Sequence, residues 1–319
     1  MKKTIALLLF LVAAAGQAQT YPSRPIRVVV PYTPGGPADL LARGMGQKLT
    51  ETWGRQIIVE NKPGANEIIA AQDIAKSPAD GYNFLLASDA VFSLNQYLYS
   101  RLPYDPARDF TPVSRLVTAN LMLVARTDFP ASSVSELVDY ARKNPGKINY
   151  GSVGAGGVNH LAMAWFNTLN GLDMQHVPYK GLVQGLQDIM TGRLDVMFAV
   201  IGGAAPHLKA GKMKGLAASG KSRNALMAEV PTFAEAGFAD FDASFYFGLA
   251  APAGTPRDVI AKFAAESSKI VNTAEFRQSY LNNLGFEPVG DAPEQFAAFL
   301  RQDRALAEKK VKASGARLD

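Results

Sequence analysis

The chain contains no cysteine, which excludes disulfides, thiol nucleophiles and thiolate metal sites. Histidine is scarce. His160, His176 and His207 form no H-E-x-x-H pattern and no close pair, so neither a catalytic zinc nor any other metal is expected. The G-x-S-x-G turn that presents a nucleophilic serine is missing. The carboxylates follow no pairing that singles out a general acid and a base. Charge of one sign is also scarce. The formal net charge is +5, and the densest basic cluster, Lys309, Lys310 and Lys312, suits a solvated helix face better than a nucleic-acid footprint. After the first residues no segment approaches the roughly 20 apolar residues a membrane helix needs.

What is present begins with an export signal. Lys2 and Lys3 precede an apolar run at 5–15, and Gly16-Gln17-Ala18 offers small residues for cleavage. Residues 1–18 are therefore expected to be a signal peptide cut after Ala18, leaving a periplasmic chain that starts at Gln19. No cysteine follows the run, so a lipid anchor is excluded. About 300 residues remain, enough for two lobes of ordinary domain size.

Along those residues strands and helices alternate. Apolar, β-branched runs at 26–30, 57–59, 84–87, 121–124, 148–150, 174–177, 196–200, 215–218 and 245–250 read as strands. Helical spacing follows at 41–49, 68–75, 135–142, 160–169, 182–190, 259–271, 274–284 and 293–313. Such alternation predicts an α/β fold built on open, mostly parallel sheets with helices on both faces. In such sheets ligands sit beyond the carboxyl ends of the strands.

Two glycine-rich loops occupy that position. The first is Tyr32-Thr33-Pro34-Gly35-Gly36-Pro37-Ala38-Asp39, with Pro37 suited to a first helical position and Asp39 to the first turn. Its glycines would let backbone amides approach a ligand, and the helix start is an anion site. The second runs from Gly151 to His160 and carries Ser152 and Asn159. Each is equally readable as a plain turn or a flexible surface loop. His160 reads as a packed or capping histidine before a ligand-facing one, Asp195 as a turn residue before a strand, and Tyr179-Lys180 as a solvated edge. Residues 215–222 match the nucleotide P-loop formally, but the apolar strand lies inside the motif instead of ahead of it, so no nucleotide site is expected.

Read in order, the segments Tyr21-Pro22-Ser23-Arg24-Pro25-Ile26, Val29-Val30-Pro31-Tyr32, Val59-Glu60-Asn61-Lys62-Pro63-Gly64-Ala65 and Asp80-Gly81-Tyr82 resemble the Bug receptors. So do His176-Val177-Pro178-Tyr179-Lys180-Gly181 and Gly248-Leu249-Ala250-Ala251-Pro252-Ala253-Gly254-Thr255-Pro256. These are the TctC-like solute-binding components of tripartite tricarboxylate transporters, and the likeness covers nearly the whole chain after the signal. The resemblance implies a two-lobed periplasmic-binding-protein (Venus-flytrap) fold. Lobe 1 would take residues 19–121 and 246–319, and lobe 2 residues 122–245. It implies a monomeric receptor, with no cofactor, that captures a small carboxylated or amide-type metabolite and passes it to membrane permease subunits. A sensor for a signalling partner and an exported enzyme on the same fold are the alternatives. The implied gripping positions are Tyr32, Gly35, Gly36, Asp39, Ala65, Asn66 and Ser88 in lobe 1, and Ser152, Gly156, Asn159, Tyr179 and Asp195 in lobe 2.

The sequence departs from the family pattern where Asn66-Glu67 replaces a glycine pair, Gln184-Gly185 replaces Pro-Ala, and Ala164 replaces an acidic residue. Two readings of Glu67 stand. It caps the following helix from solvent, or it competes with a ligand carboxylate for the same donors and turns the pocket toward a monocarboxylate, an amide or an amine.

Overall fold

The computed structural model describes residues 21–179 and 181–318. The expected signal peptide, with its cleavage site, and Lys180 lie outside the described residues.

The chain opens with β1 (Ile26–Val30), buried on nearly every position, then α1 (Pro37–Trp53). Pro37 sits at the start of α1, where its missing N–H costs nothing, and Gly54 ends the helix in the left-handed conformation with φ 62°. Then come β2 (Ile57–Asn61), α2 (Ile68–Ala75), β3 (Asn83–Ser88) and β4 (Phe110–Ala119). After one residue, Asn120, β5 (Leu121–Ala125) begins a second sheet with α3 (Val134–Lys143), β6 (Asn149–Ser152), α4 (Val158–Asn170), β7 (Gln175–Pro178), α5 (Leu182–Met190), β8 (Val196–Val200), α6 (Ile201–Lys209) and β9 (Lys214–Ala218). The chain returns through β10 (Phe245–Pro252), α7 (Arg257–Val271), β11 (Phe286–Pro288) and α8 (Pro293–Ser314).

The first sheet has the order β11-β4-β10-β3-β1-β2 and the second β7-β6-β8-β5-β9. Both are mixed, which corrects the expectation of mostly parallel sheets. In the first, β1 pairs in parallel with β2 and β3, while β10 runs antiparallel to β3 and β4. In the second, β6 is parallel to β7 and β8, while β5 is antiparallel to β8 and β9. The reason is the crossing. β5 and β10 each enter their sheet from the other lobe, so they start where the parallel strands end and must run the opposite way. The register places Leu121 beside Val200 and Phe247 beside Ser88. Both crossings therefore lie at the carboxyl ends of the parallel strands, and the two sets of strand ends share the hinge side. Leu121 belongs to the second sheet and Phe245, paired with Ala119, to the first, one residue from each expected boundary.

A third tie is the long α8. Phe296 and Leu300 are buried in lobe 1, while Ala307 and Val311 pack with Leu161 of α4 and with Leu94 and Leu98. The residues read as one helix at 274–284 form three short turns instead, closed by Gly285 at φ 70°. The backbone there crosses α6 so closely that a side chain on Gly202 would meet Asn283 and Leu284 at 2.7 Å.

Candidate ligand-binding site

The loops after β1, β2 and β3 form the lobe 1 side. Asp39 is buried and accepts hydrogen bonds from the Gly35 N–H and Arg43 Nε, both at 2.9 Å, and from Asn61 Nδ2 at 2.8 Å. Burial alone would raise its carboxyl; these donors outweigh it and hold the carboxyl below the usual range. Asn61 also donates to the Tyr32 carbonyl at 3.0 Å. Asp39 thus braces the loop, and the Gly35 amide is engaged within it, as is the Gly36 amide with the Thr33 carbonyl at 3.4 Å. Asp39 and the Gly35 and Gly36 amides are thus engaged within the loop itself.

Ala65, Asn66 and Glu67 occupy φ 46°, 48° and 73° in succession. Non-glycine residues in that region each cost on the order of 1–3 kcal/mol, and such strain concentrates at functional sites. Asn95, fully buried, holds the turn. It accepts from Asn66 Nδ2 at 2.7 Å and donates to the Asn66 carbonyl at 2.9 Å. The turn carries the Glu67 side chain inward. Glu67 is 6% exposed, so the solvent-facing helix cap is overturned, and its side chain makes no cap hydrogen bond to α2. Its carboxylate accepts from the Ser88 N–H at 3.0 Å, from Ser88 Oγ and from the Tyr32 hydroxyl. Burial raises the Glu67 carboxyl despite these three donors, and burial with the Glu67 charge pushes the Tyr32 hydroxyl well up. Asp89, next along the chain, has a buried Oδ1 with no partner among the described residues. Burial and the charge of Asp303 push its carboxyl well above the usual range.

On the lobe 2 side Ser152 is fully buried. Its hydroxyl donates to the Gly154 carbonyl at 2.9 Å, so His176 donates to it from Nε2 at 2.6 Å. His160 stacks on His176 with ring centroids 4.0 Å apart and accepts the Gly156 N–H at Nδ1, 3.0 Å away. Burial and His176 hold His160 at about 4, so it is a neutral, packed histidine. A side chain at Gly156 would meet Leu318 at 2.4 Å, because the C-terminal segment covers it. Asn159 is buried and donates to the Phe198 carbonyl at 2.7 Å, and Tyr179 donates to Asp188 at 2.9 Å. Ser152, Gly156, Asn159 and Tyr179 therefore shape the lobe 2 loops from within. Asp195 lies at the opposite end of the sheet. It precedes β8, pairs with Arg126 at 2.9 Å and accepts the Asn149 N–H at 2.8 Å. As Asn149 begins β6, Asp195 stands at the amino ends of the strands, away from the hinge side, and its role as a gripping residue is corrected.

Three helices of lobe 2 begin on the hinge side. α4, α5 and α6 have no side-chain cap and no acidic residue in the first turn. α3, at the other end, is capped by Ser133 with Glu136 in its first turn. Of the three, α6 is covered by the 282–285 turn. Four of the exposed large apolar residues, Leu40, Ile69, Val153 and Val183, sit in the first turns or loops that follow parallel strands. The loop ends thus carry exposed apolar side chains, with Glu67 on the lobe 1 side and helix N-termini on the lobe 2 side.

Sequence reasoning placed Tyr32 and Ser88, which do meet, but left the residue they meet off the site. The signal was available: a glutamate where the family pattern has glycine, in a turn that glycine favours.

The profile of the family described as "Tripartite tricarboxylate transporter family receptor" matches residues 41–315. A UPF0065 protein of Bordetella pertussis is 35% identical over 298 residues, covering 93% of this chain and 91% of that protein. Among solved structures, R. palustris Rpa4515 with adipate aligns with a TM-score of 0.84 at 32% identity, over 93% of this chain and all of that one. MatC from Rhodopseudomonas palustris with bound malate aligns at 0.78 and 32%, over 91% of this chain and all of that one. The two-lobed fold is that of periplasmic binding proteins, and no helix among the described residues is long and apolar enough to cross a membrane. This chain belongs to the tripartite tricarboxylate transporter receptor family, the Bug or TctC-like solute-binding receptors.

Proposed function

We propose that the protein works in the periplasm as the capture component of a tripartite transporter. It holds a small carboxylate-bearing metabolite between its lobes and hands it to membrane permease subunits, making and breaking no bond. The observation that carries this reading is the placement of both crossings at the carboxyl ends of the parallel strands, which sets two ligand-type loop clusters on one hinge side. Bound adipate and malate in two similar structures support a carboxylate in the ligand. The bound ligand would stabilise the closed state. Mass spectrometry of the small molecule released on denaturing freshly purified protein would identify it. Small-angle scattering with that molecule should show compaction, and an unchanged radius at saturation would refute capture by closure.

A further inference from the structure

The strand-end donors of lobe 1 are already filled. The Ser88 N–H and hydroxyl, together with the Tyr32 hydroxyl, converge at the carboxyl ends of β3 and β1. Three donors converging on one point make a carboxylate subsite. Here the carboxylate belongs to Glu67, delivered by a backbone turn with three successive positive φ angles at non-glycine residues. The turn stays in that conformation because Asn95 ties both the side chain and the carbonyl of Asn66.

The charge around this end limits what a ligand could offer there. Asp89 brings a second carboxyl group, with a buried Oδ1 that accepts nothing among the described residues. The charges acting on it are Asp303, Lys310 and Glu67, two acidic against one basic. Across the hinge side the polarity is reversed. The N-terminus of α4 has no side-chain cap and no acid in its first turn, so its dipole favours an anion. A ligand with a carboxylate at each end would set one of them against the Glu67 carboxylate, where like charges repel and the donors are taken. A ligand with a carboxylate at one end and an ammonium at the other satisfies both sides, and the apolar rim suits a methylene body between them.

We propose that Glu67 is a built-in carboxylate that occupies the lobe 1 carboxylate subsite, and that the receptor therefore selects amino-carboxylates, ammonium toward Glu67, over dicarboxylates. The proposal deepens the receptor reading and rests on it.

The test uses matched pairs of equal chain length: 4-aminobutanoate against succinate and 6-aminohexanoate against adipate. Calorimetric titration of the wild-type protein should show at least one amino-carboxylate binding tenfold or more tighter than its dicarboxylate partner. Glu67→Gly suits the φ of 73° and empties the subsite, so it should reverse the preference. Glu67→Gln keeps the shape without the charge. It should weaken the amino-carboxylate without admitting the dicarboxylate, and it stands in if the glycine variant does not fold. Tighter dicarboxylate binding by the wild-type protein, or a preference unchanged in both variants, overturns the role of Glu67 while leaving the receptor reading intact. If neither the wild-type protein nor the variants bind any of the four, while circular dichroism shows them folded, the carboxylate-receptor reading falls and this inference with it.

Discussion

Asn95→Ala isolates the clamp on the strained turn. Asn95 is fully buried, and its side chain makes two hydrogen bonds to Asn66 and a third to the Tyr104 hydroxyl at 3.2 Å. Each of the two turn bonds contributes about 1 kcal/mol net, and the third adds up to ~1 kcal/mol, the Tyr104 hydroxyl keeping its bond to the Val91 carbonyl. Asn66 is partly exposed, so water can replace part of what it loses. The expected destabilisation is about 2–3 kcal/mol. Without the clamp, the turn from Ala65 to Glu67 should relax out of the left-handed region and draw the carboxylate away from Ser88. Urea unfolding at matched m-value measures the first effect, and a melting-temperature fall of roughly 2–4 °C per kcal/mol should accompany it. The same variant should shift ligand preference toward dicarboxylates, in the direction of Glu67→Gly. A loss below ~1 kcal/mol with unchanged preference would refute the claim that Asn95 holds the turn.

Glu67 and Asp195 allow two more tests. Burial raises the Glu67 carboxyl in the folded protein, so ionising it costs more there than in the unfolded chain. The stabilising contribution of its protonation is full below the unfolded carboxyl range and is lost as pH rises through the folded value, about 1.4 kcal/mol for each pH unit separating the two. Glu67→Gln should therefore gain stability relative to the wild-type protein as pH is raised from about 4.5. Melting curves of both proteins across that range would show it, and parallel profiles would contradict it. Asp195→Ala should cost about 2 kcal/mol through loss of the Arg126 pair and the Asn149 N–H bond, yet leave ligand affinity unchanged. A tenfold loss of affinity without loss of stability would return Asp195 to the binding site.

The order of elements, the glycine loops and the family were legible in the residues because each is a local pattern: apolar runs of strand length, helical spacing, Pro37 at a helix start, and motifs in a fixed order. The strand of ten residues, β4, was not legible. Pro112, Ser114 and Arg115 interrupt its apolar run, and pairing with β11 and with β10, the latter with register shifts at Phe247/Gly248 and Leu249/Ala250, makes it a strand. Tertiary structure alone also decided strand direction, since a strand entering from the other lobe must run against its neighbours. It likewise separated the twelve expected gripping positions. Tyr32 and Ser88 converge from loops more than fifty residues apart in sequence, whereas Asp195 lies at the far end of its sheet. Sequence alone could mark Glu67 as a misplaced charge. Whether it faced water or Ser88 depended on three backbone angles and a buried asparagine 29 residues beyond Asn66, and such a coupling exists only once the chain is folded.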